Sequence, residues 1–175
     1  MIIEEKSMNN SKTKKLVMAS LLAALCCVAT MIIKIPSPLK GYLNLGDCVV
    51  LLSGWLLSPA YGFAAAGIGS ALADVFSGYV TYAPATFIIK GLMALIAYLG
   101  FKILQNKIGN LPSRIISGIV AEAIMVLGYF VFEGFLYGFI PSIVNIPANA
   151  VQGVAGIIIG TILIKVFEKS KIMME

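Results

Sequence analysis

Histidine is absent from this 175-residue chain, and charged residues are scarce, at 12%. Without histidine, imidazole metal ligands and imidazole acid–base catalysis are excluded. Soluble domains carry about 25% charged residues, so this chain has far fewer groups than usual for a surface in contact with water. Because 59% of its residues are hydrophobic, the composition points away from an ordinary soluble domain.

Several chemical motifs are also missing. The sequence contains no GxxxxGK[ST] loop, so it predicts a chain that is not an enzyme and does not itself hydrolyse ATP. Cys26, Cys27 and Cys48 lie in or beside apolar runs and form no CxxC pair, which is typical of buried, inert thiols. We predict no metal site and no cofactor. The net charge of +5 comes from residues that border apolar runs, so no nucleic-acid partner is predicted.

Long uncharged runs dominate what is present. Residues 16–33 and 143–164 carry no charge, and each is long enough to cross a hydrocarbon core of about 30 Å. Lys12, Lys14 and Lys15 before the first run resemble the basic part of a secretory signal peptide. However, that run is long for a signal peptide, and more apolar segments follow it. The sequence therefore predicts an integral, all-α membrane protein.

Prolines and charges divide the chain into helices and loops. The first helix is expected over residues 16–35, ended by Pro36 and Pro38, and residues 36–44 form a loop. Four later helices are expected over residues 60–76, 84–104, 112–135 and 146–167.

The second helix is expected to begin near Leu45, with Asn44 as its N-cap and Asp47 as a first-turn acid. The next stretch, residues 48–73, has no charge. It can form one long tilted helix, or two short helices that turn at Ser58-Pro59.

The distribution of basic residues decides between these two readings. Two short helices give six spans, which places ten of the thirteen Lys and Arg residues on one side of the membrane. The positive-inside tendency makes this side cytoplasmic. We therefore predict a six-transmembrane-helix bundle with both termini cytoplasmic, with tails at residues 1–15 and 169–175 around a membrane domain of residues 16–168. The ten residues are Lys6, Lys12, Lys14, Lys15, Lys102, Lys107, Arg114, Lys165, Lys169 and Lys171.

Three ionisable residues fall inside predicted spans. Lys90 lies about 9 Å past the start of its helix, Glu122 lies near the membrane midplane, and Glu133 follows on the same helix face. A charge at such depth costs at least ~2.5–3.5 kcal/mol, so these residues are expected to face protein or a cavity. The alternatives are that Lys90 and Glu133 reach the interface and that Glu122 is a structural acid. About 16 Å of helix rise separates the two glutamates, which excludes an acid–base pair.

Polar and aromatic side chains gather at the predicted external end. Asn145, Asn149 and Gln152 share one helix face, and their amides suit an uncharged heteroaromatic or hydroxylated ligand. Alternatively, Asn145 caps the helix and the other two amides bond neighbouring helices. Tyrosines at the same end form either an interfacial belt or the lining of an outward-facing pocket: Tyr42, Tyr79, Tyr82, Tyr129 and Tyr137.

Small residues repeat along the first helix. Ala19 and Ala23 are four residues apart, and Ser20 and Ala24 repeat the pattern on the next face. Such spacing lets another helix approach closely. The partner is either a helix of the same bundle or another subunit.

Over residues 12–168 the sequence resembles the substrate-binding S components of energy-coupling-factor (ECF) vitamin transporters. The resemblance rests on the small size, the six predicted helices and the basic tail leading into Ala19-x-x-x-Ala23. It also rests on residues 42–47 (YLNLGD), residues 56–63 (LLSPAYGF) and the Gly- and Ala-rich helix that ends in Ala73-Asp74.

The resemblance implies a mechanism and partners. A vitamin or precursor would bind externally, under the gate loop 36–44, in a bacterial plasma membrane. Ala19 and Ala23 would dock onto a transmembrane coupling subunit that works with two cytoplasmic ATPase subunits. The candidate substrate-binding residues are Tyr42, Asn44, Tyr82, Lys90, Tyr129, Glu133, Asn145, Asn149 and Gln152.

The substrate stays open at this point. The amide stripe favours a small ring, such as the hydroxymethylpyrimidine precursor of thiamine or pyridoxine. Riboflavin is an alternative because the subgroup resembles one labelled for riboflavin. Pantothenate is another, because its carboxylate would give Lys90 a partner. A structural membrane subunit without a ligand is a different class of alternative.

Overall fold

The computed structural model describes residues 2–37 and 39–169, with side chains from residue 12 onward. Pro38 and residues 170–175 of the predicted C-terminal tail, Lys171 among them, lie outside the described residues. The predicted part of Pro38 in ending the first helix therefore stays a prediction.

Six long helices make up the fold of the described residues, which confirms the all-helical prediction. They are α1 (Ile2–Ile32), α2 (Gly46–Leu56), α3 (Pro59–Phe76), α4 (Ala83–Ile108), α5 (Asn110–Tyr137) and α6 (Ile146–Lys169). A four-residue helix, Phe139–Ser142, and a 3-10 turn, Ile143–Asn145, connect α5 to α6. Sequence patterns did not predict the small antiparallel ladder between β1 (Ile35–Pro36) and β2 (Tyr42–Leu43) in the α1–α2 loop.

The break between α2 and α3 falls where the sequence predicted it. Leu57 and Ser58 adopt extended conformations, and Pro59 opens α3, where its missing N–H costs no helical hydrogen bond. The uncharged stretch is therefore two helices and not one.

The ends of α1 and α2 differ from expectation. α1 already begins at Ile2 and ends at Ile32, four residues before Pro36, so this proline is not at the helix end. The N-cap of α2 is Leu45 and makes no side-chain cap bond. Asn44 instead sits one residue earlier, where its Oδ1 accepts the Gly46 N–H at 2.8 Å.

Helix α2 lies in the middle of the bundle. It has 11 residues, of which ten are buried, and it contacts each of the other five long helices. At 1.5 Å per residue it is about 16 Å long, shorter than a hydrocarbon core. Because neighbours cover it, its backbone and polar side chains are sheltered from lipid.

The outer helices present large apolar side chains, such as Ile32, Val151 and Val166, on the bundle surface. In the part of the chain that the structure describes, four helical stretches are long and apolar enough to cross a membrane, so the fold is that of a multi-pass membrane protein. They are Lys12–Ile32, Ala83–Ile108, Asn110–Tyr137 and Phe139–Lys169. Six crossings and two cytoplasmic termini stay predictions.

Close helix contacts depend on small residues in the bundle. A Cβ added at Gly54 of α2 would lie 2.4 Å from the Ala94 carbonyl of α4, and one at Gly69 of α3 would lie 2.4 Å from the Ala23 carbonyl of α1. The glycines let the helix backbones approach closely. The resulting dispersion contacts hold the helices together in lipid, which competes for their apolar surfaces.

Candidate functional site

A pocket opens at the end of the bundle where the α1–α2 loop covers the ends of α3 to α6. The cavity itself has a volume of about 40 Å³, and the open region around its mouth, solvent included, measures about 410 Å³. Its lining combines tyrosine rings with carboxylate, amide and hydroxyl groups. The lining residues are Ser37, Lys40, Gly41, Tyr42, Asn44, Asp74, Tyr79, Tyr82, Thr86, Tyr129, Glu133, Asn149 and Gln152.

A buried ion pair lies beneath the pocket. Lys90 of α4 donates to Asp47 of α2, and both side chains are almost completely buried. The second oxygen of Asp47 accepts the Gln152 amide at 2.7 Å, and the Lys90 ammonium lies 5.4 Å from the Tyr129 ring centroid. Asp47 thus links α2, α4 and α6. The sequence had indicated it only as a first-turn acid.

This ion pair corrects one expectation about Lys90. The Lys90 side chain lies inside the bundle, where it neither reaches the interface nor lines the pocket. Asp47 neutralises its charge there. A cation already paired inside the protein is a poor partner for a ligand carboxylate, since breaking a buried pair is costly. The structure therefore offers no unpaired Lys90 charge to the carboxylate of pantothenate.

The Gln152 amide also holds the covering loop. Its Oε1 accepts the backbone N–H of Asn44 at 2.8 Å and the Asn44 side-chain amide at 3.4 Å. Through Gln152, the loop is connected to the buried Asp47–Lys90 pair.

Asn145 and Glu133 fix the tip of the same loop. The Asn145 amide accepts the Leu39 N–H at 3.2 Å and donates to both Glu133 oxygens, at 3.0 and 2.9 Å. The Tyr82 hydroxyl shares its single proton between Glu133 Oε1 at 3.3 Å and the Lys40 carbonyl at 3.2 Å. Burial, then the neighbouring Tyr137 and Glu133, raise the pKa of Tyr82, so this hydroxyl remains a donor.

Tyr42 and Asp74 form one wall of the pocket. The Tyr42 hydroxyl donates to Asp74 Oδ1 at 2.7 Å. Burial and the nearby Asp74 charge raise the pKa of Tyr42, which keeps it protonated and donating. The Tyr42 and Tyr79 rings lie 4.9 Å apart, and those of Tyr79 and Tyr82 lie 6.2 Å apart, so an aromatic wall continues around the opening.

Glu122 lies away from the pocket, deep between the helices. It is buried beside Gly153 and Gly156 of α6, whose missing side chains leave room for it and for Asp47. Within the described residues neither carboxyl oxygen of Glu122 has a hydrogen-bond partner. The alternative that Glu122 is a structural acid stays a prediction.

Seven of the nine predicted binding residues line the pocket, and Lys90 and Asn145 lie behind it as the partners of Asp47 and Glu133. Binding of a substrate by these residues stays a proposal. Sequence reasoning missed the roles of Asp47, Asp74 and Thr86. The two aspartates had a visible signal, because they flank the uncharged stretch 48–73. Thr86 had none.

The predicted docking residues lie on a separate apolar groove between α1 and α3. Ala19 is buried and Ala23 is half-buried, while Ser20 and Ala24 are exposed. All four line the groove. Because Ala23 packs on Gly69, the small residues serve contacts inside the bundle; their docking role stays a proposal.

Among the described residues no cluster of three or more Cys, Asp or Glu side chains is placed to hold a metal ion. The pocket lining carries carboxylate, amide and hydroxyl groups beside tyrosine rings. Such a site can recognise a small organic molecule by hydrogen bonds and ring contacts.

Comparison with known proteins places this fold among transport proteins. The family model for the ECF-type riboflavin transporter S component matches residues 10–169. A Pyrococcus woesei protein, described as an uncharacterized protein in gap 3'region, is 41% identical over 134 residues, covering 76% of this chain and 87% of that protein. The thiamine precursor transporter HmpT of Lactococcus lactis is 24% identical over 170 residues, covering 96% of each chain.

Two solved structures share the fold. The S component of a bacterial ECF transporter superposes with a TM-score of 0.73 at 27% identity, covering 90% of this chain and 97% of that one. The S component for biotin from an ECF-type ABC transporter gives a TM-score of 0.55 at 21% identity, covering 90% and 94%. The second likeness concerns the fold alone.

Proposed function

Because the chain belongs to the family of ECF-type riboflavin transporter S components, we propose that it is the substrate-capture subunit of an ECF transporter. S components are transport subunits and not enzymes. In this proposal the chain binds a small B-vitamin or vitamin precursor at the external side of a bacterial plasma membrane. Uptake is then driven by ATP hydrolysis in partner subunits.

The observation that carries the proposal is the pocket under the α1–α2 loop. Two of the three predicted amides are engaged within the protein: Asn145 holds the loop tip, and Gln152 binds Asp47 and Asn44. Asn149 also lines the pocket, but its amide makes no hydrogen bond within the described part of the chain. A free amide among tyrosine rings is suited to a ring-bearing ligand with polar substituents.

Two substrate groups are supported by specific observations. The small polar pocket and the resemblance to HmpT, which is described as a thiamine precursor transporter, favour hydroxymethylpyrimidine, with pyridoxine as a ring of similar size. The description of the matching family model favours riboflavin. We favour the small rings over riboflavin because the pocket lining offers many hydrogen-bonding groups for a small polar ring.

The proposed partners follow from the family. S components associate with an ECF module, and we propose a transmembrane coupling subunit with two cytoplasmic ATPase subunits for this chain. The α1–α3 groove with Ala19 and Ala23 is the proposed docking surface, since it is apolar and lies apart from the pocket.

The full chain, purified in detergent from cells grown with added vitamins, tests this proposal. We expect mass spectrometry of the extracted small molecules to reveal a ring-bearing vitamin or precursor in stoichiometric amount. Asn149→Leu removes the free amide and should lower retention of that ligand at least about tenfold, a typical penalty for a missing polar contact.

Asn106→Leu is the matched control, because Asn106 is exposed at the far end of α4 and should retain the ligand fully. Absence of any bound molecule in repeated preparations would instead support a structural membrane subunit. If Asn149→Leu retained as much ligand as the unsubstituted protein, this part of α6 would not belong to the binding site.

A further inference from the structure

Asp74, on the last turn of α3, has one carboxylate oxygen without a partner. The residue is only 6% exposed and lines the pocket. Its Oδ1 accepts the Tyr42 hydroxyl at 2.7 Å, whereas its buried Oδ2 has no hydrogen-bond partner among the described residues. Buried polar atoms in native proteins are nearly always paired, so an exception in a pocket points to a partner from outside the chain.

Donors on the described part of the wall already have partners. The Tyr42 hydroxyl donates to Asp74 Oδ1. The Thr86 hydroxyl is also near Asp74, but it pairs with the Tyr129 hydroxyl at 3.0 Å. Lys34 donates to Ser77 at 3.0 Å. The acceptor on Asp74 is thus left for a donor that a ligand brings into the pocket.

The charge of the lining restricts what such a ligand can be. One lysine, Lys40, and two carboxylates, Asp74 and Glu133, line the pocket, which gives a formal charge of +1 − 2 = −1. The carboxylate of Glu133 is met by neutral donors, the Asn145 amide and the Tyr82 hydroxyl. A ligand carboxylate or phosphate would therefore meet an excess of like charge, whereas a neutral or cationic group with N–H donors would not.

We propose that Asp74 Oδ2 accepts a hydrogen bond from an N–H group of the substrate, and that this group is the ring amino group of an aminopyrimidine, the substrate group favoured above. The inference rests on the proposed function, since it assigns the substrate class of that same pocket. The surrounding Tyr79, Tyr82 and Tyr129 rings provide faces for the heterocycle, and the free Asn149 amide provides a second polar contact.

The test measures equilibrium binding to the full chain in detergent by calorimetry. The probes are 4-amino-5-hydroxymethyl-2-methylpyrimidine, its analogue without the amino group, riboflavin and pantothenate. We expect the unsubstituted protein to bind the aminopyrimidine at least about tenfold more tightly than the des-amino analogue, because the analogue leaves Asp74 unpaired.

Asp74→Asn replaces the free acceptor with a donor, while the amide oxygen can still accept the Tyr42 hydroxyl. We expect this variant to bind the aminopyrimidine at least about tenfold more weakly than the unsubstituted protein. Glu168→Gln is the matched carboxyl-to-amide control. It breaks an ion pair with Arg114 at the other end of the bundle and should leave the affinity unchanged.

The outcomes separate this inference from the proposed function. Equal affinity for the amino and des-amino compounds overturns the inference, and that comparison requires no variant. Unchanged affinity in a folded Asp74→Asn also overturns it. Binding of riboflavin or pantothenate without binding of the aminopyrimidine overturns the inference and leaves vitamin capture standing. Failure of every probe to bind overturns the inference, and vitamin capture is then decided by mass spectrometry of the molecules extracted from the purified chain.

Discussion

At the scale of single residues, Asp47 and Lys90 form a buried ion pair in which each charge compensates the other. Both are almost fully buried, and removing one member of a buried pair leaves an uncompensated charge that costs about 3–5 kcal/mol. Asp47→Asn and Lys90→Met should each lower the free energy of unfolding by about that amount. In the double variant, the asparagine can still bind Gln152 and no charge remains.

A double-mutant cycle on the unfolding free energies in detergent checks this prediction. We expect the double variant to be clearly more stable than the sum of the two single losses implies. Strictly additive losses would mean that the two residues do not depend on each other.

The amide stripe shows how far residue-scale prediction can go. The spacing predicted that Asn145, Asn149 and Gln152 share one helix face, because the helical repeat fixes the direction in which each side chain points. It could not assign their partners, since these come from the α1–α2 loop and from α2, more than 100 residues away in two cases. The stripe therefore includes a loop anchor, a free amide and a link to the buried ion pair.

At the scale of helices, the contact between α1 and α3 depends on Gly69. An added Cβ there would lie 2.4 Å from the Ala23 carbonyl and 2.9 Å from Cys26 Cβ. We expect Gly69→Ala to lower the free energy of unfolding by about 1–3 kcal/mol, the usual cost of overpacking.

Gly160 of α6 is the control for that prediction, because an added Cβ would find its nearest neighbours at an ordinary 3.4 Å. Gly160→Ala should be neutral or stabilising by up to about 1 kcal/mol, since alanine favours a helix interior over glycine. Unfolding followed by circular dichroism measures both variants. Equal stability of the two would show that the α1–α3 contact is looser than described.

The α1–α3 groove makes a second prediction at this scale. Ala24 is exposed and lines the groove, whereas Leu25 is exposed outside it. Ala24→Trp should fill the groove and abolish copurification with the proposed coupling subunit, while ligand binding persists. Leu25→Trp adds the same bulk to the same helix and should assemble normally. Assembly of both variants would remove the groove from the docking surface.

Pro59 predicted a helix boundary correctly, whereas Pro36 did not, because α1 ends earlier, at Ile32. The turn before Pro59 followed from the need to place lysines on one side. The start of α1 at Ile2 did not follow, because a polar segment carries no apolar period. The strands Ile35–Pro36 and Tyr42–Leu43 are too short to show alternation. Their pairing nevertheless positions the loop over the pocket.

At the scale of the whole molecule, we propose that the pocket faces the outside and that the lysine-rich ends face the inside. Ile140, which is 84% exposed, lies in the α5–α6 connection beside the pocket end. Lys107 is exposed at the α4–α5 connection on the opposite end. Cysteine at these two positions reports the orientation directly, because Cys26 and Cys48 are buried and Cys27 is half-buried.

The decisive measurement is labelling of Ile140→Cys and Lys107→Cys in intact cells with a membrane-impermeant maleimide, with the unsubstituted protein as background. The account predicts that Ile140→Cys is labelled at once and that Lys107→Cys is labelled only after the membrane is permeabilised. Labelling of Lys107→Cys alone, or of both in intact cells, would contradict a pocket that opens to the outside.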